Sequence, residues 1–230
     1  MPNNSQTASA SQTGFFRVER GIYAGMPVAL ERHWWHRLMP RKWPQFADMP
    51  TYEAALCEGL TGTVQPGSKV VVVGAGVGVT VVTAAKLAGP TGQVTCFEGS
   101  ANCLAQTKET LALNEITSQV DLVHAIVGED ISVYDSTEQA EVFPAENLPI
   151  CDVLELDCEG AEIKILSEMK IRPQTILVET HGVHGAPTAK VEQILQGLNY
   201  SVKNLGVAEP YLTDYCQEHD IFVLWATKES

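Results

Sequence analysis

CDVLELDCEGAEIKIL, Cys151 to Leu166, begins as an apolar strand and then fills with acid, as Asp157, Glu159 and Glu162 follow one another within six positions. Acidic side chains at the end of an apolar strand are costly unless they hold something or accept hydrogen bonds. Asp152 to Leu156 reads as the strand, Gly160 and Ala161 permit a sharp turn, and Ala161 to Met169 reads as the helix. Glu159 and Glu162 then fall near the helix N-terminus, where free N–H groups and the helix dipole stabilise carboxylates. That accounts for Glu162. It does not account for Asp157, a strand-end carboxylate that faces the crevice beyond the sheet.

Outward from this stretch the same alternation repeats. Strands are expected at Lys69–Val73, Gln93–Phe97, Val120–Ile126 and Thr175–Glu179, with helices at Thr51–Leu60, Val79–Leu87, Asn102–Leu113 and Thr188–Leu198. Thr51 is the expected N-cap of the first helix. Ser201–Leu205 and Ile221–Thr227 read as a closing antiparallel pair. Alternation at this spacing implies right-handed crossovers and a mostly parallel α/β sheet of Rossmann-like form. The near-continuous apolar strands require helices on both faces. Ligands of such sheets sit beyond the carboxyl ends of the strands, at the switch in strand order.

The totals bound the rest. With 230 residues, 45% hydrophobic, the chain suffices for one domain with a sizeable core. Its net charge of −13 repels phosphate backbones, so nucleic acid is not an expected partner. Six scattered cysteines with no C-x-x-C pair read as free thiols in a reducing, cytoplasmic setting. No run reaches the ~18 apolar residues of a membrane span. Residues 1–14 are polar, lack the parts of a signal peptide and read as a disordered tail. Residues 15–50 form a separate aromatic and basic arm carrying Trp34, Trp35 and Trp43 with Arg17, Arg20, Arg32, Arg37, Arg41 and Lys42. The arm could cover the active site, dock on an anionic surface, join two copies into a homo-oligomer, or simply pack on the core. Residues 51–230 are the expected catalytic domain.

VVVGAGVGVT sets Gly74, Gly76 and Gly78 between the first core strand and its helix. Glycines there permit tight angles and close approach of a ligand. A dinucleotide fingerprint needs a small residue where this chain has Val79, so the turn suits a ligand whose amino-acid part lies over it. CFEGS ends the next strand at Glu98, positioned to accept hydrogen bonds from ribose hydroxyls of either NAD or S-adenosylmethionine.

VVVGAGVG, CFEGS, LELDCEGAEIKIL and ILVETHG together resemble the FkbM family of S-adenosylmethionine-dependent methyltransferases. The match is densest at Asp157, Glu159, Gly160, Ala161 and Glu162, and extends to Glu179 and His181 and to Asn114. It departs at Val72, where the family has an acid, and at Gly99, where it has proline. The resemblance implies a class I methyltransferase sheet of seven strands, mostly parallel with an antiparallel last strand, and O-methylation of a hydroxyl on a small molecule or sugar. It implies S-adenosylmethionine as cofactor and S-adenosylhomocysteine as product, held by Gly74, Ala75, Gly76, Gly78, Glu98, Gly99, Ser100, Ala125, Ile126 and Asp157. Asp157 would hold the cofactor ammonium or face its methyl.

Asp157, Glu179 and His181 are the expected catalytic residues. Glu179 and His181 lie two apart and share a strand face, so the carboxylate could orient the ring as a base. No metal is expected. The residues that could hold one are Asp157, Glu179 and His181, with Glu159 and His184 beside them. Two other functions compete. An NAD-dependent oxidoreductase is disfavoured by Val79, and a non-catalytic Rossmann-like binding protein would keep the pocket without turnover.

Overall fold

Residues 15–33, 48–128 and 140–229 are described by the computed structural model. The tail, the three tryptophans of the arm and Arg37, Arg41 and Lys42 lie outside the described residues.

The sheet forms as the apolar periodicity dictates. β4 (Lys69–Val73) pairs in parallel with β5 (Gln93–Glu98) on one side and with β8 (Val153–Leu156) on the other. β6 (Gln119–Val127) and β7 (Glu141–Phe143) continue outward from β5, and β9 (Thr175–Glu179) from β8. β11 (Phe222–Lys228) runs antiparallel between β9 and β10 (Tyr200–Val207). The order is β10-β11-β9-β8-β4-β5-β6-β7, so strand order reverses at β4.

Alternation along each strand sorts side chains to two cores. Val71, Val73, Leu154, Leu156, Ile176 and Val178 meet Ile165 and Leu166 of α4 (Glu162–Glu168) and Val191 and Leu195 of α5 (Thr188–Gly197). Val70, Val72, Val153 and Leu177 meet Leu56 and Leu60 of α1 (Ala54–Thr63) and Val81, Ala84 and Ala85 of α2 (Val79–Ala88). Helices therefore cover both faces, as expected.

Two expectations need correction. The main sheet has eight strands, not seven. β7 is three residues long, with exposed Val142 at the sheet edge, too short to show a period in the sequence. Helix α1 starts at Ala54, not at Thr51. Glu53 takes the cap position in a left-handed conformation (φ 49°) and turns its side chain inward instead of capping. The arm, for which no secondary structure was expected, begins as a hairpin, β1 (Phe15–Tyr23) and β2 (Met26–His33), around Ala24 and Gly25, both at positive φ. That is the backbone a two-residue hairpin turn requires. β3 (Asp48–Met49) pairs in parallel with β1. The hairpin packs on its own domain. Tyr23, Met26, Val28 and Met49 cluster with Val79 and Val82. Ala29 N–H donates to Thr110 Oγ1 (3.0 Å), and Asn114 Nδ2 donates to the Pro27 carbonyl (2.8 Å), both on or capping α3 (Ala101–Leu113).

Candidate active site

The carboxyl ends of β4, β5, β8 and β9 meet at the reversal of strand order. Gly74 N–H donates to the Phe97 carbonyl (2.9 Å) and Asp157 N–H to the Val73 carbonyl (2.9 Å), which binds the glycine turn to both neighbouring strand ends. Glu98 completes the join. Its Oε2 accepts from Ala75 N–H (2.8 Å) and its Oε1 from Ser100 N–H (2.7 Å). Each oxygen keeps a further lone pair for a ligand. Ser100 caps α3, its Oγ accepting from Cys103 N–H (3.3 Å). Ile126 lies against Gly99, where an added Cβ would come within 2.8 Å of it, whereas Ala125 points into the core under α4. The structure thus brings together Gly74, Ala75, Gly76, Glu98, Gly99, Ser100, Ile126 and Asp157. Gly78 turns toward Thr107 of α3, which fixes where α2 begins.

The other half of the site surrounds His181, which is 3% exposed. Its Nδ1 donates to Glu162 Oε1 (2.7 Å). The same oxygen accepts from Gly160 N–H (3.2 Å) and Cys158 N–H (3.4 Å). Glu162 is therefore both a helix-start carboxylate, as its position predicts, and the anchor of the histidine ring, which sequence spacing did not disclose. His181 Nε2 faces Asp157 Oδ1 (3.5 Å), Glu159 Oε2 (3.5 Å) and Glu179 Oε1 (3.6 Å). Burial alone would lower the His181 pKa, but the bond to Glu162 and the charges of Asp157, Glu162 and Glu159 outweigh it and raise it to about 9. Burial pushes Asp157 up to about 7 against the pull of His181. Glu179 also rises well above the carboxylate range, by burial and then by the charge of Asp157.

Sequence reasoning missed a third group. Glu53 is 5% exposed and Oε1 lies 3.5 Å from where a Cβ on Gly76 would stand, as does the Tyr52 hydroxyl. Glu209 Oε1 accepts from Glu53 N–H (3.0 Å). Neither the Glu53 nor the Glu209 Oε2 has a hydrogen-bond partner. Burial, then the charges of Asp157 and Glu209, raise Glu53 well above its usual value. The only hint in the sequence was an acid early in the first turn of the helix expected at Thr51–Leu60. The left-handed turn that swings it into the crevice has no signature of its own.

Glu209 gives a pH test. Burial raises its pKa from 4.5 to about 7, Asp157 adds to this, and the Glu53 N–H bond opposes it. Glu53, Asp157 and Tyr211 are the titratable neighbours. A carboxyl raised on folding binds its proton more tightly in the native state. Its contribution is fully present below pH 4.5 and is lost as the pH climbs through 7. Glu209→Gln keeps the acceptor for Glu53 N–H and removes that loss. Urea unfolding at pH 5 and pH 8 should show the variant gaining on wild type by about 2 kcal/mol at the higher pH. Parallel pH profiles for the two proteins would exclude this reading of Glu209.

No family model matches the chain, and no curated protein matches it. Solved structures do. A precorrin-6y C5,15-methyltransferase from Geobacter metallireducens shares 16% identity at a TM-score of 0.53, over 82% of this chain and 93% of that one. A ribosomal protein L11 methylase from Lactobacillus delbrueckii shares 15% at 0.52, over 82% and 89%. A Clostridium thermocellum protein described as an rRNA methylase shares 17% at 0.52, over 78% and 97%. Identities this low speak to fold alone. Because one of these neighbours is described as acting on RNA, the fold gives no support to the exclusion of nucleic acid, which rests on net charge only. No helix among the described residues is long and apolar enough to cross a membrane. The chain has the α/β fold of class I S-adenosylmethionine-dependent methyltransferases.

Proposed function

We propose that the protein is an S-adenosylmethionine-dependent methyltransferase that methylates a hydroxyl oxygen of a small molecule or sugar, as its resemblance to the FkbM family implies. One observation carries the cofactor reading. The crevice at the glycine turn is lined by Glu53, Asp157, Glu179 and Glu209, with no basic side chain paired to them among the described residues except His181. Burial and mutual repulsion raise the pKa of all four, and an incoming sulfonium and ammonium would relieve that repulsion whereas a pyrophosphate would add to it. The crevice therefore favours S-adenosylmethionine over NAD.

The cofactor supplies an electrophilic methyl group. The chain's residues do the rest. Gly74, Ala75 and Gly76 would let the methionine part approach the backbone, and Gly78 sets the start of α2. Glu98, with Gly99 and Ser100, would take the ribose hydroxyls. Ile126, with Ala125 behind it, would flank the adenine. Asp157 would hold the ammonium or face the methyl. Methyl transfer is an in-line displacement, so alignment of the two reacting groups supplies much of the rate. The acceptor hydroxyl must also lose its proton near the transition state. Asp157, Glu179 and His181 stand together and would take up that proton or polarise the hydroxyl, and Glu162 fixes the ring. An open depression lined by Gly160, Ile163, Lys164 and His184 lies beside them and suits the acceptor's approach.

Calorimetric titration with S-adenosylmethionine, S-adenosylhomocysteine and NAD tests this. Micromolar binding of both sulfur ligands and silence with NAD are expected. Binding of NAD alone would return the oxidoreductase to first place. Silence with all three would leave the non-catalytic binding protein.

A further inference from the structure

Four carboxylates converge on one buried imidazole, and one of its nitrogens is left aimed into a gap. His181 Nδ1 is fixed by Glu162, a side chain with no exposed surface. Nε2 then points at Asp157, Glu159 and Glu179 from 3.5, 3.5 and 3.6 Å. These separations exceed an imidazole–carboxylate hydrogen bond, which runs near 2.7–2.9 Å. They match another geometry. Donor atoms about 2.1 Å from one cation and spread tetrahedrally about it stand ~3.4 Å from each other.

One atom each from Asp157, Glu179 and His181 lies within 4.8 Å of the other two. Glu179 is 7% exposed and its Oε2 has no hydrogen-bond partner. Among the described residues, the ion pairs of Asp157, Glu162 and Glu179 are all made with His181. The floor is buried and the mouth is open, for Asp157 and Glu159 side chains keep 25% and 30% of their surface. The Glu162 contact is the arrangement by which an outer carboxylate orients a metal-bound histidine and raises its basicity.

We propose that Asp157, Glu179 and His181 bind a divalent cation, with Glu159 at the mouth as a fourth donor and Glu162 as the positioning residue behind the ring. This revises the expectation of no metal. One nitrogen and two or three carboxylate oxygens suit Mn²⁺ or Zn²⁺ better than Mg²⁺, which takes oxygen alone. The open mouth leaves a coordination position for an acceptor hydroxyl, which the cation would acidify. That use rests on the methyl-transfer reading; occupancy of the site does not.

The test reads binding rather than turnover. Full-length protein stripped with chelator is titrated with Mn²⁺ and free Mn²⁺ is followed by electron paramagnetic resonance, with no cofactor present. One equivalent should bind at micromolar concentration and be displaced by Zn²⁺. Glu179→Gln and His181→Asn should each weaken binding at least ~100-fold, and Glu162→Gln about tenfold while leaving the site's own donors in place. Far-ultraviolet circular dichroism confirms that each variant is folded, and either of the first two suffices if the other is not. No binding by wild type at millimolar Mn²⁺ overturns the proposal, even where S-adenosylmethionine binds. Binding that survives both ligand substitutions places the ion on other surface acids and overturns it too. Mn²⁺ binding without cofactor binding sustains the site and sinks the methyltransferase.

Discussion

Gly74→Ala should unfold the protein or cost it more than about 4 kcal/mol, where Gly25→Ala costs only about 1 kcal/mol. Both glycines adopt positive φ, 95° and 75°. An alanine at either pays the same kind of conformational penalty. They differ in what surrounds them. Around Gly25 an added Cβ meets nothing within 4 Å. At Gly74 it would lie 1.7 Å from the Asp157 carbonyl oxygen and 2.8 Å from its carbon. Those are backbone atoms, and the backbone on each side is pinned, by Gly74 N–H on Phe97 and Asp157 N–H on Val73. Relief would require β4 to part from β8 at the point where the glycine turn and the acidic strand end meet. Urea unfolding of the two variants, with a cofactor titration on whatever folds, decides it. A Gly74→Ala protein within 1 kcal/mol of wild type would mean that the turn is not held against Asp157.

The parts of this site that were legible in the sequence are those set by local periodicity. Lys69–Val73 and Asp152–Leu156 are apolar runs that end in Gly74 and Asp157, and each ends where the period says it should. The closing antiparallel pair was legible because β10 and β11 are long and half apolar. The hairpin of the arm was not. Its turn is Ala24-Gly25, without the Asn or Asp that marks such turns, and its basic and aromatic residues mask the alternation. α6 (Thr213–His219) was missed because seven mostly polar residues carry no apolar stripe. Side-chain partnerships were legible only in part. Glu162 and His181 were each singled out, but their contact spans 19 positions and depends on how α4 docks beside the end of β9. Glu53 reaches the crevice through a left-handed residue, which propensity disfavours for glutamate and which only the tertiary packing enforces.

Glu155→Leu should stabilise the protein by about 2–4 kcal/mol, against the usual sign of a core substitution. β8 is buried along its whole length, and alternation sets Glu155 on the same face as Val153, under α1 and α2. Its register partners are Val72 of β4 and Leu177 of β9. The side chain has no exposed surface, and neither oxygen has a hydrogen-bond partner. Burial, then the charges of Asp157 and Glu53, push its pKa well above the carboxylate range; the Thr80 hydroxyl, close enough to oppose this but too poorly aligned to make a hydrogen bond, offsets it only in part. A leucine fills a similar volume with no polar group to desolvate. Natural chains keep such costs where function needs them. Glu155 stands two residues before Asp157, and a cation entering the crevice would favour the ionised form that burial disfavours, so the stabilised variant should bind S-adenosylmethionine more weakly. Thermal unfolding and a cofactor titration on the same preparation separate the two effects. A loss of stability would show that Glu155 is satisfied within the fold. A gain in stability with undiminished affinity would show that Glu155 does not couple to the cofactor, and would leave Glu53, Asp157, Glu179 and Glu209 as the acids that favour it.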